Sequence, residues 1–170
     1  AEQAQIPSRS FLQHVQADLQ NKRVLIVDDN ETNQRILMLQ TEAWGMKPWV
    51  ARTPAQALGY IQRGESFDIV LIDYQMPDMD GITLLTEIRK MRDAKNLPAV
   101  LISSIGHDQI DREIFSAILM KPIRASQLYN TLINILASSG TPFFQRTVTG
   151  PLFDPTMATR LPLHILLAED

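Results

Sequence analysis

A chain of 170 residues, 45% hydrophobic and 21% charged, has room for one globular domain with tails and is too short for two full domains. A formal net charge of -3 without any Lys/Arg run argues against nucleic acid as a partner. The absence of cysteine excludes disulfides, zinc thiolate sites and thiol nucleophiles, and no apolar stretch approaches the roughly 18 residues that span a bilayer.

Residues 1–21 are polar apart from Phe11, Leu12, Val15 and Leu19, which recur at roughly helical spacing and read as a connector. Five short apolar runs follow: Val24–Val27, Trp49–Ala51, Ile69–Ile72, Val100–Ile102 and Ile118–Met120. They are rich in Val, Ile and Leu and lack strict alternation, as expected of strands buried on both faces of a parallel sheet. Between them lie stretches of helical spacing. Ile36, Leu39 and Ala43 mark the first, with Gly45 as its stop. Ala57, Leu58 and Ile61 mark the second, and Leu84, Ile88 and Met91 the third. Leu128, Leu132, Ile135 and Leu136 mark the helix after the last strand. Residues 138–163 are rich in Ser, Gly and Pro and read as a linker. The alternation predicts an α/β domain with helices on both faces of a parallel sheet. In such folds the site lies beyond the carboxyl ends of the strands.

Asp28 and Asp29 follow the first strand, Asp73 the third, Ser103 and Ser104 the fourth, and Lys121 with Pro122 the fifth. One sheet edge thus gathers three carboxylates, a hydroxyl and an ammonium. Clustered carboxylates repel and call for a hard cation, which suits Mg²⁺. A Lys beside them can hold a phosphoryl oxygen as a point charge. A carboxylate nucleophile with a divalent metal and a cation is equipment for phosphoryl transfer to Asp. Taken singly, each residue has a plainer reading: a solvated acidic loop, a helix N-cap at Ser103 or Ser104, a surface Lys. His14, His107 and His164 belong to no phosphorylated context, and Trp44 and Trp49 read as packing residues.

Together, Val27-Asp28-Asp29-Asn30, Asp73 with Met76-Pro77-Asp78-Met79-Asp80-Gly81, Ser103-Ser104 and Lys121-Pro122 resemble the receiver domain of two-component signalling over about Lys22 to Leu136. The resemblance implies a flavodoxin-like (βα)5 doubly wound sheet of order 2-1-3-4-5. It implies Asp73 as phosphoacceptor, with Lys121 and Ser103 as the residues that hold phosphoryl oxygens. It implies a Mg²⁺ site made of Asp29, Asp73, the backbone carbonyl of Gln75 and, through water, Asp28. Pro122 falls on the family's cis-proline position. The implied partner is a histidine kinase or phosphotransfer domain carrying phosphohistidine, in the cytoplasm; the chain itself catalyses at most its own phosphorylation and dephosphorylation.

Two features depart from the family. Ile118 stands where the fifth strand usually carries Tyr or Phe, which leaves no ring to switch. Eighteen positions separate Ser103 from Lys121, short by about one helical turn of roughly 3.6 residues, so the fourth helix is expected to be short or irregular. The chain starts without Met, and Ile165–Asp170 resembles the first strand and acid pair of another receiver. The expected organisation is therefore a connector over 1–21, a receiver over 22–137, a linker over 138–163 and the start of a second receiver over 164–170. The parent is expected to be a hybrid histidine kinase, and an exposed tail strand could pair chains into a dimer.

Three other classes compete. A haloacid-dehalogenase-type phosphatase wants a second Asp two positions after the nucleophile, where this chain has Gln75. A flavodoxin-like cofactor binder wants a phosphate loop after the first strand, where Asp28 and Asp29 would repel phosphate. The third is a receiver-fold interaction module that is never phosphorylated, a reading kept open by Ile118.

Overall fold

A computed structural model describes residues 18–105 and 114–137. The elements in chain order are β1 (Arg23–Val27), α1 (Glu31–Ala43), β2 (Lys47–Ala51), α2 (Pro54–Gln62), β3 (Ile69–Asp73), α3 (Gly81–Met91), β4 (Ala99–Ser103), β5 (Ala117–Met120) and α4 (Ala125–Ala137). All strand pairs are parallel, and the sheet order is β2-β1-β3-β4-β5. The expected fourth helix falls on residues 106–113 and the tail strand on 164–170; both lie outside the described residues, as do the three histidines.

The continuous apolar runs have a simple cause. Residues alternate between faces along a strand, and here both faces are covered. Leu25, Val27, Val70, Ile72, Ala99 and Leu101 pack with Ala57 and Ile61 of α2 and Leu84, Leu85 and Ile88 of α3. Val24, Ile26, Ile69, Leu71, Val100 and Ile102 pack with Leu37 of α1 and Leu128 and Leu132 of α4, and Leu19 completes this layer. The edge strands β2 and β5 are only partly buried. Trp44 stacks edge-on against Tyr129, and Trp49 against Tyr60 and Phe67, so both tryptophans are packing residues.

Helix caps follow the sequence. Asn30, Thr53 and Asp80 each accept a hydrogen bond from a backbone N–H of the first turn, which satisfies a donor the helix cannot. Gly45, at φ +82°, supplies the left-handed residue that ends α1.

The orientation of α1 corrects the sequence reading. Ile36, Leu39 and Ala43 do not face the sheet: Ile36 is 49% and Leu39 54% exposed, and Ala43 is exposed. The buried residues are Gln34, Leu37 and Thr41. Both polar members are satisfied. Gln34 Nε2 donates to the carbonyl of Asp28, and the Thr41 hydroxyl donates to the carbonyls of Leu37 and Met38. Once so paired they cost little to bury, and the apolar stripe is left outside.

Candidate functional site: an acidic pocket at the strand ends

Parallel register builds the site. Val27 of β1 pairs with Ile72 of β3, so Asp28 and Asp73 stand level at the carboxyl ends of adjacent strands. Asp73 in turn pairs with Ile102, and Ser103 with Met120, which sets Lys121 one residue past the end of β5. One carboxylate oxygen from each of Asp28, Asp29 and Asp73 lies within 4.8 Å of the others. Asp28 and Asp73 are 1% and 4% exposed, whereas Asp29 is open to solvent. Lys121 Nζ is 2.7 Å from Asp73 Oδ1. The Lys121–Pro122 bond is cis, as the resemblance implies.

The electrostatics of Asp28 are unfavourable as they stand. Burial pushes its carboxyl above the ordinary value, and the neighbouring Asp73 adds to the rise. The Asn30 backbone N–H, the Lys121 charge and the Asn33 amide oppose it without cancelling it. Asn30 N donates to Asp28 Oδ1 at 2.8 Å, while Oδ2 is buried with no hydrogen-bond partner among the described residues. A buried carboxylate with an oxygen lacking a partner among the described residues, grouped with two more acids, is a ligand set in want of a cation. Its hard oxygen donors fit Mg²⁺.

Ser103 is fully buried, and its hydroxyl both donates to the Ile105 carbonyl at 3.0 Å and accepts from the Ile105 N–H at 3.1 Å. Gln75 is exposed in the loop after β3. That loop is closed by the Gly81 N–H donating to the Tyr74 carbonyl at 2.9 Å, and Asp78 takes a left-handed φ of 70° within it. Gly81 is required for close approach: a Cβ there would stand 2.5 Å from the Asp73 carbonyl oxygen and 3.0 Å from Ile72 Cγ2 and Leu101 Cδ1. The expected site residues thus divide. Asp28, Asp29, Asp73 and Lys121 come together, Ser103 lies at the adjacent strand end, and Ile118 packs half-buried against the α2–α3 core.

Several contributors went unread in the sequence. Gln34 fixes the Asp28 backbone, Asn33 Nδ2 reaches Asp28 Oδ1 at 3.5 Å, and Arg52 pairs with Glu31 at 2.6 Å. The signal for the first two was available, since an Asp-Asp-Asn helix start places the residues three to six positions on beside the first acid.

A family model described as response regulator receiver domain matches residues 24–133. The chain belongs to this family. The chain is 30% identical over 138 residues to the sensory/regulatory protein RpfC of Xanthomonas campestris pv. campestris (strain 8004), covering 78% of this chain and 19% of that protein. It is 29% identical over 125 residues to the sensor protein TorS of Escherichia coli (strain K12), covering 69% and 13%. The chain therefore spans a fifth or less of these relatives. Among solved structures it resembles a CheY-like receiver domain protein from Methanospirillum hungatei JF-1, with a TM-score of 0.63 at 26% identity over 69% of this chain and 94% of that one. A two-component response regulator from Clostridium difficile gives a TM-score of 0.65 at 25% identity over 71% and 100%. No helix among the described residues is long and apolar enough to cross a membrane.

Proposed function

We propose that this receiver accepts a phosphoryl group from a phosphohistidine onto Asp73. The observation that carries the reading is the ion pair of Lys121 with Asp73 beside two further acids, one of which has a buried oxygen lacking a partner among the described residues. A carboxylate oxygen of Asp73 attacks phosphorus, the phosphorus–nitrogen bond breaks, and the released imidazole takes up a proton. Lys121 is within reach of the acyl phosphate's oxygens once Asp73 carries it. Ser103, at the neighbouring strand end, exchanges its bonds to the Ile105 backbone for one to a phosphoryl oxygen. Asp29, Asp73 and the Gln75 carbonyl would hold Mg²⁺, with Asp28 acting through water. When bound, the metal supplies charge neutralisation for the acids and the phosphoryl oxygens.

The donor is a phosphohistidine on a histidine kinase or phosphotransfer domain. Asp73 is deep enough that this partner must lie on the pocket rim. Ile36 and Leu39 of α1, which starts two residues after Asp29, offer it an exposed apolar surface. The proposed parent is a cytoplasmic portion of a hybrid histidine kinase, with the connector, receiver, linker and second-receiver bounds given by the sequence. The sensory/regulatory protein RpfC and the sensor protein TorS support this as much longer relatives of which the chain matches only a part.

Labelling by a small phosphodonor with Mg²⁺ tests the reading. Asp73→Asn should abolish labelling while the chain stays folded. Lys121→Ala should slow it without loss of Mg²⁺ binding. Undiminished labelling of Asp73→Asn would show that another residue is the acceptor, and no labelling of the unaltered chain would leave the non-phosphorylated interaction module as the better reading.

A further inference from the structure

Arg89, near the end of α3, is a half-buried cation remote from the acidic pocket in sequence and unused by its chemistry. Its guanidinium donates from Nη2 at 2.8 Å and from Nε at 3.2 Å to the carbonyl of Ile114. Nη1 donates at 2.8 Å to the carbonyl of Leu97 and, more weakly, at 3.5 Å to that of Arg92. No carboxylate among the described residues makes a salt bridge to it. Burial lowers the affinity of the group for its proton, and Asp93 partly offsets this. A half-buried cation whose hydrogen bonds among the described residues all go to backbone carbonyls is an anchor for those segments.

The anchored segments matter by position. Leu97 precedes β4 and Ile114 precedes β5, so Arg89 ties together the two chain entries to the last strand pair. Between Ser103 and Ala117 the crossover is near the dozen residues that parallel strands need at minimum. Its outgoing end is held by Ser103 Oγ on the Ile105 backbone, through bonds that the hydroxyl can exchange. Its returning end is held by Arg89 on Ile114, backed by the buried Phe115 and by Ser116 N donating to the Ala99 carbonyl at 2.8 Å. One end is releasable and the other is clamped.

We propose that Arg89 is the fixed end of the β4–β5 crossover, so that a movement begun at Ser103 stops before β5. The start of that movement rests on the phosphoacceptor reading; the clamp itself is a property of the unphosphorylated fold. With Ile118 in place of an aromatic ring, the fifth strand is then a stationary frame for Lys121, and the phosphorylation signal is confined to the outgoing end of the crossover.

Amide hydrogen exchange of the full chain tests the clamp without any phosphoryl chemistry. Arg89→Met should speed exchange at Ser116 by about tenfold or more while Ile26 and Leu71 stay protected. Arg89→Lys keeps the charge but has a single donor centre; it should show a smaller rise at the same amide. An unchanged Ser116 in Arg89→Met overturns the proposal, and if that variant does not fold, an unchanged Ser116 in Arg89→Lys does so. Beryllofluoride with Mg²⁺, standing in for the phosphoryl group, should then shift amides at 103–105 and leave 114–118 in place, with the change spreading to 114–118 in Arg89→Lys. Spreading in the unaltered chain overturns the proposal. No response at Asp73 itself would instead overturn the phosphoacceptor reading, and the exchange result would still decide the clamp.

Discussion

Helices α1 and α3 begin in the same way and end up facing opposite ways. Each follows an acid-bearing strand end, and each is capped by a side chain, Asn30 or Asp80, that accepts from the third residue on. Yet α3 buries Gly81, Leu84, Leu85 and Ile88, while α1 buries Gln34, Leu37 and Thr41 and leaves Ile36 and Leu39 outside. Apolar content alone does not decide which face meets the sheet. In α1 the inward polar groups have backbone carbonyls to bond, and one of those bonds fixes Asp28. The helix thus supports the pocket with its inner face and leaves Ile36 and Leu39 exposed on its outer face.

The contrast breaks most readily at paired positions. Ile88→Ala should cost about 2–5 kcal/mol in denaturant unfolding, because it opens a cavity in a closed core. Leu39→Ala should change stability by less than about 0.5 kcal/mol, yet slow transfer from a phosphohistidine protein and not from a small phosphodonor. Equal stability losses would mean that the outer stripe of α1 is packed after all. Gly81→Ala probes the start of α3, where a methyl group collides with the Asp73 carbonyl. A loss of about 1–3 kcal/mol and slower labelling of Asp73 are expected; a variant with unaltered melting would show that the loop has room to give.

Asp28 sharpens the comparison from the α1 side. Its carboxyl is held above the ordinary value, so the folded state binds the proton more tightly than the unfolded state. Its contribution to stability therefore falls as pH rises from the ordinary carboxyl value through the raised one, and the cost is fully present above it. In metal-free protein near neutral pH, Asp28→Asn should be more stable by about 1 kcal/mol, with the gain shrinking in acid. Urea midpoints measured across pH check this; a gain that grows in acid would reverse the assigned sign.

How legible this was in the sequence varies along the chain. The strands and the positions of the four described helices were readable, because both faces of the sheet are apolar and residues such as Leu84, Ile88, Leu128 and Leu132 hold helical spacing toward it. The acid pocket was readable because parallel strands end together, which brings Asp28, Asp29, Asp73 and Lys121 to one edge. The face of α1 was not. Ile36 and Leu39 repeat with the same period as Gln34, Leu37 and Thr41, and periodicity gives no direction when the inner polar groups find partners only after folding. Arg89 was silent for a related reason: its partners are carbonyls, which every residue has, brought near by tertiary structure.

The buried carboxylate at the end of β3 is the one proposed to react. The most direct measurement treats the chain with a small phosphodonor and Mg²⁺, reduces the acyl phosphate with borohydride, and maps the reduced residue by peptide mass spectrometry. Conversion of Asp73 to homoserine is expected, with Asp28 and Asp29 intact and no conversion without Mg²⁺. Conversion at Asp28 or Asp29 with Asp73 untouched, or none at any acid of the pocket, would contradict it.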